Sequence, residues 1–205
     1  MPHTARDRFS SATPTHVTVK LMPNVFSLRL QRVVRELERT FAAGCERSEF
    51  RLVHYSLQGN HAHFIVEARD QDALGRGMMA IGSRLALAVN RVMGRKRGRV
   101  VADRYHARLL RSPQHVRNAL RYVLLNARHH ASVSARRARR TMEVLLDPAS
   151  SARWFDGWKL ASSRGPNALA RSAPALEPPV ARPRTWLLRT GWRRHGLLDP
   201  ADVPG

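Results

Sequence analysis

Two strand-like runs, Phe50–Leu57 (FRLVHYSL) and His61–Ala68 (HAHFIVEA), are separated only by a short turn containing Gly59-Asn60. So short a connection joins antiparallel neighbours, which places a β-hairpin at the centre of any fold this chain adopts. His16 to Leu21 (HVTVKL) is rich in β-branched residues and predicts an earlier strand, broken by Pro23 and Asn24. From Ser27, a candidate N-cap, Leu30, Val33, Val34, Leu37 and Phe41 recur with helical spacing, and Gly44 follows the helix end. Beyond the hairpin, residues 71–93 predict a second helix striped by Leu74, Met78, Ile81, Leu85, Val89 and Val92. Gly75, Gly77 and Gly82 weaken its first half. Val100 to Leu110 predicts a fourth strand, and Ser112-Pro113 opens a third helix reaching Arg128. The order β-α-β-β-α-β plus a helix predicts an α+β fold: a ferredoxin-like antiparallel sheet, a C-terminal helix and a basic tail.

Charge narrows the partners. Of 205 residues, 36 are basic and 15 acidic, a formal net charge of +21, and only Lys20, Lys96 and Lys159 are lysines. Guanidinium forks match phosphate oxygens, so nucleic acid is the expected partner. The loop Gly94 to Arg99 (GRKRGR) concentrates this charge in Arg95, Lys96, Arg97 and Arg99. Cys45 is the only cysteine, which excludes a disulfide framework and a cysteine-rich zinc site. No apolar run approaches the length of a membrane span, and the first residues lack a secretory pattern, so a cytoplasmic protein with no membrane contact is expected.

Three side chains can carry chemistry. His61 and His63 lie two apart on a strand, so both imidazoles project from one face and can chelate one divalent ion. On the third helix Val116, Leu120, Val123 and Ala127 form the apolar stripe, and Tyr122 falls off it with Asn118 and Asn126 one turn either side. That placement makes its hydroxyl a candidate nucleophile. An H-x-H pair or a helix-surface tyrosine is by itself common, and a purely structural role is the alternative for each.

The hairpin Gln58 to Val66 (QGNHAHFIV) and the later Arg121 to Ala127 (RYVLLNA) resemble single-tyrosine HUH transposases, and most nearly the REP-associated tyrosine transposases. Asp103-Arg104-Tyr105-His106 resembles the strand preceding the tyrosine helix in that branch. The chain departs from the pattern at Gln58-Gly59, where Met-Pro is usual, and at the small Ala62 between the histidines. The resemblance implies a catalytic unit of His61, His63 and Tyr122. It implies a divalent metal, Mg²⁺ or Mn²⁺, on His61, His63 and Asn126. It further implies cleavage and rejoining of single-stranded, palindromic or hairpin DNA through a 5′-phosphotyrosine link. Arg104, Tyr105 and Arg121 join the basic loop as expected DNA contacts, and no organic cofactor is implied. Consistent with chemistry that conserves phosphodiester energy, there is no G-x-x-x-x-G-K-[ST] loop.

The expected organisation is a catalytic domain over 14–130, a basic and aromatic extension over 131–160, and a linker with a basic tryptophan-containing tail over 161–205. Arg136, Arg137, Arg139 and Arg140 mark the extension, together with Trp154, Phe155 and Trp158. These tryptophans, with Trp186 and Trp192, are candidates either for core packing or for stacking on bases. Tyr105 is the rival nucleophile, Glu67 a possible accessory to the metal, and His129 and His130 helix-end histidines. The competing functional class is a non-catalytic single-stranded DNA- or RNA-binding module, although the RNP aromatic signature is missing from the central strands. A carboxylate-metal nuclease is disfavoured because Glu67, Asp70, Asp72 and Asp103 are dispersed. A homodimer, with the tyrosine supplied by a partner subunit, is left open.

Overall fold

The computed structural model describes residues 9–47, 49–129, 146–159 and 178–202. Strands β1 (Thr13–Lys20), β2 (Glu46–Arg47), β3 (Phe50–Leu57), β4 (His61–Ala68) and β5 (His106–Leu109) form one antiparallel sheet in the order β2-β3-β4-β1-β5. Helices α1 (Gln31–Ala42), α2 (Gln71–Val92) and α3 (Pro113–His129) connect and follow these strands. Apart from the two-residue β2, this is the α+β, ferredoxin-like arrangement that the patterning predicts.

Period-two alternation gives the sheet two buried faces. Val17, Val19, Ala62, Phe64 and Val66 face one way and pack with Leu37 and Phe41 of α1 and Leu74, Ile81 and Leu85 of α2. Gly77 serves this layer, because a Cβ there would overlap the Phe50 ring; the glycine allows close approach at the expense of helix propensity. Across the sheet, Val53 and Ile65 pack against Val116, Leu120, Val123 and Leu124 of α3. A register shift between Leu52 and His54 lets Val53 join this second core while Leu52 and Tyr55 stay in the first.

The second core draws on distant sequence. Phe155, Trp158, Leu188, Trp192 and Leu198 all belong to it. Trp158 Nε1 donates to Ala152 O at 2.9 Å and Trp192 Nε1 to Leu188 O at 3.1 Å, so both indoles are buried with their polar atom satisfied. A short helix α4 (Trp186–Arg189) carries part of this layer. The residues read as extension and tail thus supply core, and base stacking by Trp158 and Trp192 is excluded by burial. The Arg136–Arg140 cluster and most of the linker lie outside the described residues.

Two boundaries differ from the sequence reading. Helix α1 begins at Gln31, and Ser27 Oγ instead accepts from Arg29 N at 3.2 Å in a turn before it. The fourth strand is only His106–Leu109, preceded by a single bridge between Leu21 and Val101. Between them, Asp103 Oδ1 accepts from Arg104 N and the Arg99 guanidinium binds the carbonyls of Val101 and Ala102. Such local side-chain bonds compete with the ladder. Ser112 acts as predicted, accepting from His115 N at 3.1 Å at the start of α3.

Candidate active site

Pairing register decides which side chains meet. Opposed residues on adjacent strands share a face. His63 lies opposite both Thr18 and Ser56, and Thr18 lies opposite His106. His16 lies opposite Ile65 and Arg108 in the next row. Since Ile65 belongs to the α3 core, His61, His63, His16, Thr18, His106 and Arg108 all sit on the α3 side of the sheet.

Helix α3 lays Tyr122 over this row. The Tyr122 ring centre is 5.1 Å from that of His63, edge to face at 81°, and 5.8 Å from that of His16. His61 and His63 have ring centres 4.8 Å apart at 84°. The three residues predicted to act together therefore come together within one chain. His61 is half-buried, with Nδ1 2.9 Å from Asn60 Oδ1. His63 is buried, and its Nδ1 lies 3.1 Å from Thr18 Oγ1 and 3.3 Å from His16 Nε2.

Asn126, one turn beyond Tyr122, is fully buried rather than on a solvated face, and neither atom of its amide has a hydrogen-bond partner among the described residues. Asn118, its mirror in the sequence reading, is exposed and accepts from Gln114. Among the described residues no group of three or more His, Cys, Asp or Glu is arranged to hold a metal ion. A metal here needs a donor of another type, and the buried Asn126 amide is of that type.

His16 is a member of the site that residue spacing alone does not point to. Burial, and secondarily the Arg108 guanidinium, push its pKa down to about 4, so it is a neutral imidazole at neutral pH. A signal for it exists in the sequence: it stands on the first strand in phase with Thr18, and only the pairing register hides its neighbour.

Other expectations resolve differently. Glu67 shares the strand face of the histidines, but its carboxylate accepts from Arg184 N (2.8 Å), Thr185 N (2.8 Å) and Thr185 Oγ1 (2.6 Å). It anchors the start of α4 and is committed to structure, not to a metal. Tyr105 is half-buried against the first core, the α1 and α2 side of the sheet, away from the face Tyr122 covers. Arg121 is half-buried beside Tyr122. Lys96, Arg97, Arg99 and Arg104 are exposed, while Arg95 is half-buried with a guanidinium donating to Met93 Sδ. Their loop is stitched to the His61 end of the sheet: Met22 N donates to Val100 O and Ala102 N to Lys20 O, and Lys20 lies opposite His61. Trp186 alone of the four tryptophans is well exposed, with the Arg194 guanidinium 4.8 Å from its ring centre. The side chains of His129 and His130 lie outside the described residues.

No family model matches this sequence, and no curated protein matches it. Among solved structures the chain is similar to that of the REP-associated tyrosine transposase bound to a REP hairpin. The TM-score is 0.50 and the identity 17%, over 65% of this chain and 77% of the other. At that identity the likeness shows a shared fold. No helix among the described residues is long and apolar enough to cross a membrane.

Proposed function

We propose that this chain is a metal-dependent DNA strand transferase that cleaves and rejoins single-stranded, hairpin-forming DNA through Tyr122. The observation that carries the reading is the meeting of Tyr122 with His63 and His61 on one sheet face, within one chain. The shared fold with a transposase whose structure holds a REP hairpin supports DNA as the partner.

The residues present fit a divalent ion. Two imidazoles bound side by side to one octahedral ion at about 2.1 Å have ring centres roughly 4.5–5 Å apart, so the 4.8 Å separation is compatible with a shared ion, as it is with an edge-to-face ring pair. With Nδ1 of each histidine engaged, Nε2 of His61 and His63 and the amide oxygen of Asn126 would hold the metal. A bound Mg²⁺ or Mn²⁺ supplies polarisation of the scissile phosphate and charge stabilisation as the displacement proceeds. Tyr122 Oη forms a bond to phosphorus, the P–O3′ bond breaks, and the departing 3′-oxygen takes up a proton as the tyrosine loses its own. The energy of the phosphodiester is kept in the tyrosyl ester, and attack by a 3′-hydroxyl reverses the step. Arg95, Lys96, Arg97, Arg99 and Arg104 would neutralise the DNA backbone at the His61 end of the sheet, with Arg121, beside Tyr122, as a further contact; Tyr105, packed on the other side of the sheet, is left to packing.

The test is incubation with single-stranded palindromes and Mn²⁺, followed by mapping of the DNA-linked peptide. Wild type should attach at Tyr122, and Tyr122→Phe should fold and bind normally yet form no adduct. His61→Ala or His63→Ala should abolish attachment with the tyrosine intact. An adduct at Tyr105, or one persisting in Tyr122→Phe, overturns the assignment of the nucleophile. DNA binding without any cleavage by wild type favours the non-catalytic binding module.

A further inference from the structure

Strand β1 reaches the site through two side chains, and both converge on a single atom. Thr18 Oγ1 and His16 Nε2 lie 3.1 Å and 3.3 Å from Nδ1 of His63. We infer that Thr18 and His16 fix the proton of His63 on Nδ1, so that its Nε2 carries the lone pair. The consequence for a metal rests on the proposed function, whereas the placement of the proton stands on these contacts alone.

The argument is one of valence. An imidazole nitrogen without a proton has one in-plane lone pair and accepts one hydrogen well. A protonated nitrogen can divide its N–H between two acceptors. A threonine hydroxyl can accept as well as donate, and a neutral His16 with its own proton on Nδ1 accepts at Nε2, so two partners on one nitrogen are best satisfied together when His63 is the donor. The ring has little room to turn over, since it is buried between Tyr122 at 5.1 Å and His61 at 4.8 Å.

His61 reaches the same state by another route. Its Nδ1 lies 2.9 Å from Asn60 Oδ1, and an amide oxygen can only accept. Both histidines would thus hold a proton on Nδ1 and offer Nε2, giving a shared ligand pair one unprotonated nitrogen from each ring. Outer partners of this kind set which nitrogen binds and how the ring is aimed. His16 and Thr18 are on this reading positioning residues; neither is a ligand.

The test uses full-length protein labelled with ¹⁵N-histidine and no metal, read by long-range ¹H–¹⁵N correlation. Wild type should show His63 with its proton on Nδ1. In the double variant Thr18→Val, His16→Phe, the Nε2–H form should grow, and Mn²⁺ affinity should fall about 10- to 100-fold. Thr18→Ser, which keeps the hydroxyl, should retain both properties. A wild-type His63 protonated on Nε2 overturns the inference, and does so even if the double variant fails to fold. A folded double variant with unchanged tautomer and unchanged Mn²⁺ affinity also overturns it. A wild type protonated on Nδ1 that binds no Mn²⁺ upholds the proton placement and overturns the metal reading instead.

Discussion

On the proposed function, Asn126 trades stability for metal binding at a single residue. An amide buried without partners costs about 1–3 kcal/mol relative to one that is satisfied. Asn126→Leu, which keeps the branched outline but is bulkier, should therefore raise stability by at most about 1 kcal/mol in urea unfolding and weaken Mn²⁺ binding at least several-fold. A variant that loses stability and keeps its metal affinity would make the amide structural. Helical spacing alone separates Tyr122 from the apolar stripe of α3, and strand spacing alone puts His61 and His63 on one face. The same spacing puts Asn126 on a polar face, whereas in the fold it is fully buried. His16 escapes such a reading because a strand shows which of its residues share a face, but not what the neighbouring strand sets opposite them.

At the level of elements, the hairpin and three helices are legible because periodicity and turn chemistry agree there. The fourth strand is shorter than its pattern, since Val100 and Val101 look like strand while the carbonyls around them serve Arg99. The role of the C-terminal segment is hidden by the Pro, Ala, Ser and Arg-rich stretch before it. Only the fold reveals that Glu67, in the same strand as the histidines, caps residues 184–185 with three short hydrogen bonds. Glu67→Gln turns one accepting oxygen into an NH₂ facing a backbone N–H. It should cost about 1–3 kcal/mol, read as a lower urea midpoint with unchanged slope. Truncation after residue 159 should cost far more, because it also removes Leu188, Trp192 and Leu198 from the core. A truncated chain with wild-type stability would mean that the C-terminal layer is an accessory.

For the molecule as a whole, charge and burial are segregated. Glu36, Glu38, Glu46, Glu49, Asp70, Asp147 and Asp156 each bind an arginine, whereas no ion pair among the described residues involves the 95–99 loop or Arg104. Replacing Arg95, Lys96, Arg97 and Arg99 with alanine should weaken DNA binding across sequences. It should also flatten the dependence of log K on log salt, by about 0.7 for each single-strand phosphate that the loop no longer neutralises. An altered sequence preference at unchanged salt slope would assign the loop to base reading. The second global property is acid sensitivity, and it has an identifiable source in His54. This imidazole is buried beneath Phe155 with Nδ1 3.2 Å from Ser151 Oγ, and burial pushes its pKa down to about 3. In the unfolded chain it titrates near 6.5. Below that value the unfolded state binds the proton and the folded state does not, so stability is complete above about pH 6.5 and declines as pH falls. The loss attributable to His54 should reach about 1.4 kcal/mol by pH 5.5. Glu38, raised by burial, slopes the other way, because its folded state takes up a proton more readily. The comparison of wild type with His54→Leu cancels Glu38 and every other common group. Ser151 Oγ remains satisfied in that variant, through Tyr55 N and Tyr55 O. Urea unfolding at pH 7.5 and pH 5.5 should show a smaller acid loss in His54→Leu by that amount; equal losses in the two proteins would show that His54 does not contribute to the acid loss.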